Sequence, residues 1–407
     1  DSTPDHFANF FQAIREKNQK LCRANAEIAV KSTFLPLAGN VAQLTGEMLK
    51  IDVTAQGVAK QTVTIDVANA AYAKCLKKNL ELSGLFEVKP NGSIKVTGNS
   101  GAITARGAGK SLSAATAFAD DKSARMAARK FSDAMCENYG NQKGFACDEI
   151  VFVNRKGANN AALCAAYPDG FDVRSLSADG AAVVGPRWKD ENSVFYTNFK
   201  DGPQIWEQDT QTGKRRLRWS FKGVTTGATV SPDGRQVAAI LSFQGKPKLY
   251  VIEMATGKWK CLTPDAKGAP GEPAWSPDGK SIVFVSNDTR HPQLYIVDVA
   301  TRKVRRLTTR GTQNVNPDWG RDGRIVYVTK RGQGSQIAVV EPSETDAKAL
   351  LIGTPGNWEH PSWAADSRHV VAESGGRLFV VDTLPDGDKP RQMFEAKGTW
   401  INPSWRR

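Results

Sequence analysis

The sequence predicts a mainly β protein, a six-bladed β-propeller closed by its C-terminal strand and preceded by a small α/β N-terminal domain. A short element recurs as GPRW (185–188), ATVSPDG (228–234), PAWSPDG (273–279), PDWGRDG (317–323), PSWAADS (361–367) and PSW (403–405). Its large apolar position falls at Trp188, Val230, Trp275, Trp319, Trp363 and Trp405, at intervals of 42, 45, 44, 44 and 42 residues. That period is one blade of four short strands. Each interval carries the same punctuation, as in SIVFVS (281–286), LYIVDV (294–299) and KVRRLT (303–308) separated by turn residues.

The two ends of the repeat region complete one another. Residues 149–177 supply three strand-like runs, EIVFVN, AALCAAY and DVRSLS, and lack an inner strand. INPSWRR supplies an inner strand and lacks the other three. Pairing them makes the sixth blade and removes two unpaired edges. Within SPDG, Pro suits the first central turn position and Gly the one needing positive φ. Asp233, Asp278 and Asp322 therefore read as turn residues, and no metal site is expected there.

Residues 1–147 read as the α/β domain and 148–407 as the propeller. PDHFANFFQAIREKNQKLCRANAEIAV (4–30) has helical apolar spacing. KQTVTIDV (60–67) and GSIKVTG (92–98) read as strands. VANAAYAKCLKKNLELSGLFEV (67–88) reads as a helix stopped by Gly84 and followed by a short strand. DDKSARMAARKFSDAMCENYG (120–140) reads as a helix opened by acids and closed by glycine. GNSGAITARGAGKS (98–111) reads as a mobile glycine-rich loop.

Composition narrows the function classes. The net charge of +13 invites nucleic acid, but its densest clusters, KRRLRW (214–219) and RKVRR (302–306), fall on the same late strand of two repeats. They read as solvated outer strands, and no nucleic-acid partner is expected. No apolar run approaches the ~20 residues of a membrane-spanning helix. The start at Asp1, without Met, fits either a trimmed chain or a processed, exported one. None of the six cysteines lies in a CxxC pair. Cys136 with Cys147, or Cys22 with Cys75, are candidate pairs in an oxidising compartment, and Cys164 and Cys261 read as buried thiols.

Catalytic signatures fail on inspection. GAGKS (107–111) has Thr104 where a phosphate-binding loop needs glycine, and GKS (279–281) has Ala274 there. Neither a GxSxG elbow nor an HExxH zinc motif is present. Among the four histidines, His291 and His369 read as structural, and His360 directly precedes an inner-strand proline. No catalytic residue, metal or cofactor is assigned.

The P-x-W-SPDG repeat and its closure resemble the propeller of the TolB family, periplasmic components of the Tol–Pal envelope system. Two further segments strengthen the likeness. LKKNLELSGLFEV (76–88) is similar to the family's helix ending in Ser-Gly-x-Phe, and ARKFSDAMCENYGNQKGFACDEIVFV (128–153) to the segment joining its two domains. Residues 1–50 match nothing in the family, and a glycine-rich stretch stands where a strand–helix unit is expected.

The resemblance implies a non-enzymatic, monomeric, periplasmic scaffold, peripheral to the membrane only through its partners. Its expected partner is a Pal-like peptidoglycan-associated lipoprotein, with a TolA-like inner-membrane protein as a second candidate. Alternatives are a propeller lyase or hydrolase, or a propeller binding glycans or small molecules. Carried over from the family, the partner-binding candidates are Glu272, Gly271 and Gly227, just before the P-x-W element. Thr225, Asn316 and His360 extend that set from the repeat geometry.

Overall fold

The computed structural model describes residues 60–99, 101–157, 160–177, 181–243, 245–344, 346–385, 387–394 and 398–407. The helix expected over 4–30, and Cys22, lie outside them. Two helices and five strands form the α/β part: β1 (Gln61–Val67), α1 (Ala70–Leu82), β2 (Phe86–Val88), β3 (Ile94–Gly98), β4 (Ala102–Gly107), β5 (Lys110–Ala115) and α2 (Asp121–Gly140). The sheet order is β2-β1-β3-β4-β5, with β1 parallel to both neighbours and β3, β4 and β5 antiparallel. Leu76, Leu80, Val63, Ile94, Ile103 and Met135 meet in its core.

Local chemistry sets the helix ends. Asn69 caps α1 by accepting from the Tyr72 N–H, and Asp120 and Ser123 form a reciprocal capping box on α2. The glycine stop expected for α2 is displaced by one residue. Gly140 is still helical, and Asn141 takes the left-handed cap at φ 49°.

The glycine-rich segment is a correction. Residues 102–115 are a β-hairpin, not a loop, turning through Ala108 and Gly109 at φ 50° and 72°. Two consecutive positive φ angles match the twist of a two-residue hairpin. Ile103 and Ala105 alternate inward and are fully buried, which gives the hairpin its register.

Among the described residues, six four-stranded sheets follow, at 183–219, 225–261, 270–306, 313–356 and 358–392 (blades 2 to 6), with blade 1 split between the ends. Blade 1 pairs Thr399–Trp405 with Ile150–Gly157, in the register Trp405↔Ile150 and Ile401↔Val153. The expected closure is therefore present. Blades are also stitched through indole N–H groups: Trp188 donates to Ser404 O at 3.0 Å, Trp275 to Thr229 O at 3.0 Å and Trp363 to Asp318 O at 3.2 Å. The SPDG turns behave as turns. The Ser231 hydroxyl donates to Asp233 at 2.6 Å, and Ser276 to Asp278 at 2.6 Å. Those hydroxyls and the following N–H groups hold both carboxyls below the usual range. The two basic clusters lie on outer strands, Arg215–Trp219 and Val304–Arg306.

A buried charge cluster joins the α/β part to blade 1. Arg129, on α2, is 0% exposed; it bonds Asp169 at 2.7 and 3.0 Å and Asp172 at 3.0 Å, and stacks over Tyr167. Asn79 and the Cys75 thiol donate to the same Asp169, and Arg125 pairs with Asp172 at 2.6 Å. On the far side, Arg391 reaches Leu82 O, and Phe145 packs against Trp405 with ring centres 5.0 Å apart.

None of the five described cysteines is bonded to another, so Cys136 and Cys147 are free. Burial pushes the Cys136 thiol up to about 12. Cys164 is buried as expected, whereas Cys261 sits on an outer strand and is only half-buried.

Asp148, between α2 and the first blade strand, is pushed up to about 6 by burial and by the like charge of Asp133. A raised carboxyl contributes stability that is complete below its unfolded value near 4 and lost as pH rises through about 6. Asp148→Asn is expected to stabilise the protein by ~1–2 kcal/mol at pH 7.5, a figure reduced for residual exposure. The gain should vanish near pH 4. Urea titrations at the two pH values check this, and an equal gain at both contradicts it.

Candidate functional site

Every inner strand slips register by one residue just before its P-x-W element, or before Ala228-Thr229-Val230 in blade 3. At each slip one residue is left-handed: Gly185 (φ 57°), Gly227 (71°), Glu272 (50°), Asn316 (51°), His360 (48°) and Asn402 (52°). Such a bulge puts two residues opposite one and re-aims the backbone, and proline fits the next position because it needs no ladder N–H. Inner strands of a propeller all begin around one end of its channel. One residue from each blade thus joins a ring there.

The ring is hydrogen-bonded across blades. The Asn316 N–H donates to Glu272 Oε2 at 2.7 Å, and Asn316 Nδ2 donates to Oε1 at 2.8 Å. His360 N–H donates to Asn316 Oδ1 at 3.3 Å, and Gly185 N–H to Asn402 Oδ1 at 3.3 Å. Asn402 Nδ2 lies 2.9 Å from His360 Nε2, so that nitrogen accepts and Nδ1 carries the proton. Asn402 N–H, which the imidazole leaves uncapped, donates instead to Glu373 Oε2 at 3.1 Å.

Four of the six expected residues, Gly227, Glu272, Asn316 and His360, stand in this ring. Gly271 lies one residue before it, on the regular ladder opposite Val285. Thr225 does not join them. It is 0% exposed and its hydroxyl is engaged with Phe221 N–H and O, because the position two before the bulge faces inward. Glu272 is exposed, yet both its oxygens are taken by Asn316.

Glu373 was not legible in the sequence. It lies on the second strand of blade 6, opposite Glu359, and only that register brings it to the ring. His360 Nδ1 is 3.4 Å from Glu373 and 3.9 Å from Glu359. Glu359, His360 and Glu373 are the one grouping among the described residues with the donors to hold a metal ion. Below the ring, Asp318 pairs with Arg407 at 2.5 Å and accepts Trp363 N–H at 2.8 Å. Arg187 donates to Pro186 O at 3.0 Å and makes no ion pair among the described residues. Burial pushes its guanidinium down, against the charges of Asp318 and Glu272.

A family model described as "TolB beta propeller domain" matches residues 137–407. The chain belongs to the TolB β-propeller family. It is 32% identical over 101 residues to the Tol-Pal system protein TolB of Polaromonas naphthalenivorans (strain CJ2). That match spans 24% of this chain and 23% of the relative. The crystal structure of TolB from Acinetobacter baumannii superposes with a TM-score of 0.74 at 22% identity, covering 85% of this chain and 96% of that one. A chain of the nidogen/laminin complex superposes with a TM-score of 0.52 at 9% identity, covering 63% of this chain and 98% of that one. Both structures share the fold. Among the described residues no helix is long and apolar enough to cross a membrane.

Proposed function

We propose that this protein is a non-enzymatic scaffold of the Tol–Pal envelope system that binds a Pal-like lipoprotein in the periplasm through the mouth of its propeller. The observation that carries the reading is the cross-blade ring in a chain of the TolB family. Five of the six ring residues, from distant parts of the sequence, hold one another in place by hydrogen bonds and make a polar surface. Little ordering entropy is then lost when a partner docks. The histidines favour binding over chemistry: His360 Nε2 is committed to Asn402, and His369 is buried with Nδ1 on Asp366 at 2.6 Å.

Glu272→Lys is the direct test. It removes both acceptors of Asn316 and reverses a charge at the rim. Binding of the soluble domain of a Pal-like lipoprotein, measured calorimetrically, is expected to weaken by ~2–5 kcal/mol. Arg305→Glu, on an exposed outer strand, should leave it unchanged. Equal affinity for Glu272→Lys and wild type places the partner elsewhere.

A further inference from the structure

The ring has a repeating rule with two exceptions. The N–H of a left-handed residue is capped by a side chain from the preceding blade at Asn316, His360 and Gly185, and by Glu373 at Asn402. The remaining N–H groups belong to Gly227 and Glu272. Their caps would have to come from positions 185 and 227, and both are glycine. Among the described residues no side chain accepts from either N–H. A Cβ at Gly185 would meet nothing within 4 Å, and one at Gly227 would point at Pro273, beside Glu272 in the next blade.

A second observation gives the sign of the charge that fits this arc. Arg187 stands two residues after Gly185 on the same inner strand. Burial and the like charge of Arg407 push its guanidinium down, against the carboxylates of Asp318, three blades on, and Glu272, two blades on, and the strand that carries it lines the channel. Neither carboxylate bonds it: Glu272 is held by Asn316, and Asp318 by Arg407. Two N–H donors and an unpaired guanidinium make a receptor for an anionic oxygen.

We infer that the Gly185–Gly227 arc receives a carboxylate side chain of the bound protein, an Asp or Glu entering the mouth, with the N–H groups of Gly227 and Glu272 as donors and Arg187 as counter-charge. The partner it fits is a protein with an acidic loop. This rests on the mouth being the protein-binding face, and the test separates the two.

Gly185→Asn supplies the missing cap from within. Asn316 and Asn402 already hold the same backbone conformation, and the site has room. With isotope-labelled protein and sodium acetate as the probe, the Gly227 and Glu272 amide resonances of the wild type are expected to shift saturably. Sodium chloride at equal ionic strength should not move them. Gly185→Asn should abolish the Gly227 response, and Arg187→Gln should weaken acetate binding. Gly185→Asn should also weaken a Pal-like soluble domain about tenfold while its melting temperature holds or rises. An acetate response without any Pal-like binding keeps the carboxylate site and removes only that partner. Absent amide shifts, identical shifts in Gly185→Asn, or unchanged partner affinity in that folded variant overturn the inference.

Discussion

A chain ending before Thr399 is expected to lose the folded propeller as a whole, not to fray one blade. Thr399–Trp405 is the inner strand of blade 1, so its removal leaves Ile150–Gly157 with an open edge beside the channel. It also removes Ser404 O, the acceptor of the Trp188 indole, and Trp405, which is 1% exposed and packed on Phe145. Trp405→Ala alone should cost ~3–5 kcal/mol through lost burial and the cavity left behind. That is a large part of the 5–15 kcal/mol typical of a folded domain. Thermal melts followed by circular dichroism decide the point. A shortened chain that melts cooperatively within a few degrees of the full one contradicts it.

Arg129→Met should be nearly as severe. It leaves Asp169, which is 3% exposed, as a carboxylate without its cation, and takes one of two arginines from Asp172, which keeps Arg125. Breaking one side of a buried pair typically costs ~3–5 kcal/mol, because the other charge stays desolvated. Adding Asp169→Asn to Arg129→Met should recover part of the loss, which a double-mutant cycle in urea would read as a coupling energy. Additive losses would mean that Arg129 acts through packing on Tyr167 and not through charge. Since Arg129 lies on α2 and Asp169 in blade 1, either single change should also loosen the α/β part from the propeller.

What was legible follows from how each signal is written. The Trp at a 42–45 residue period is a local mark repeated six times over, counting Val230, so the blade count and closure could be read directly. The hairpin at 102–115 was hidden because Gly98, Gly101, Gly107 and Gly109 outweigh the short alternation of Ile103 and Ala105. The ring positions were legible as a place but not as a network. Each is one residue per blade, and nothing local says that Asn316 holds Glu272 or that Asn402 meets His360. Thr225 lies off the ring because a bulge two residues later decides which way it faces. Arg129 and Asp169 are 40 residues apart, with no pattern linking them.

The bulges have a consequence for how a guest is oriented. Six blades of one design make a mouth with near-sixfold rotational symmetry, and a perfectly symmetric rim would accept the same guest in six settings. Here two adjacent positions are glycine and four carry side chains tied to one another. The gap therefore occurs once per full turn, and in the proposed binding mode it would act as a keyway. A guest turned by one blade would bring its key against Glu272 or Asn402 instead of open space. Because each position sits on a bulge, the key could be recut by exchanging glycine for asparagine where, as at Gly185 with φ 57°, a Cβ meets nothing within 4 Å.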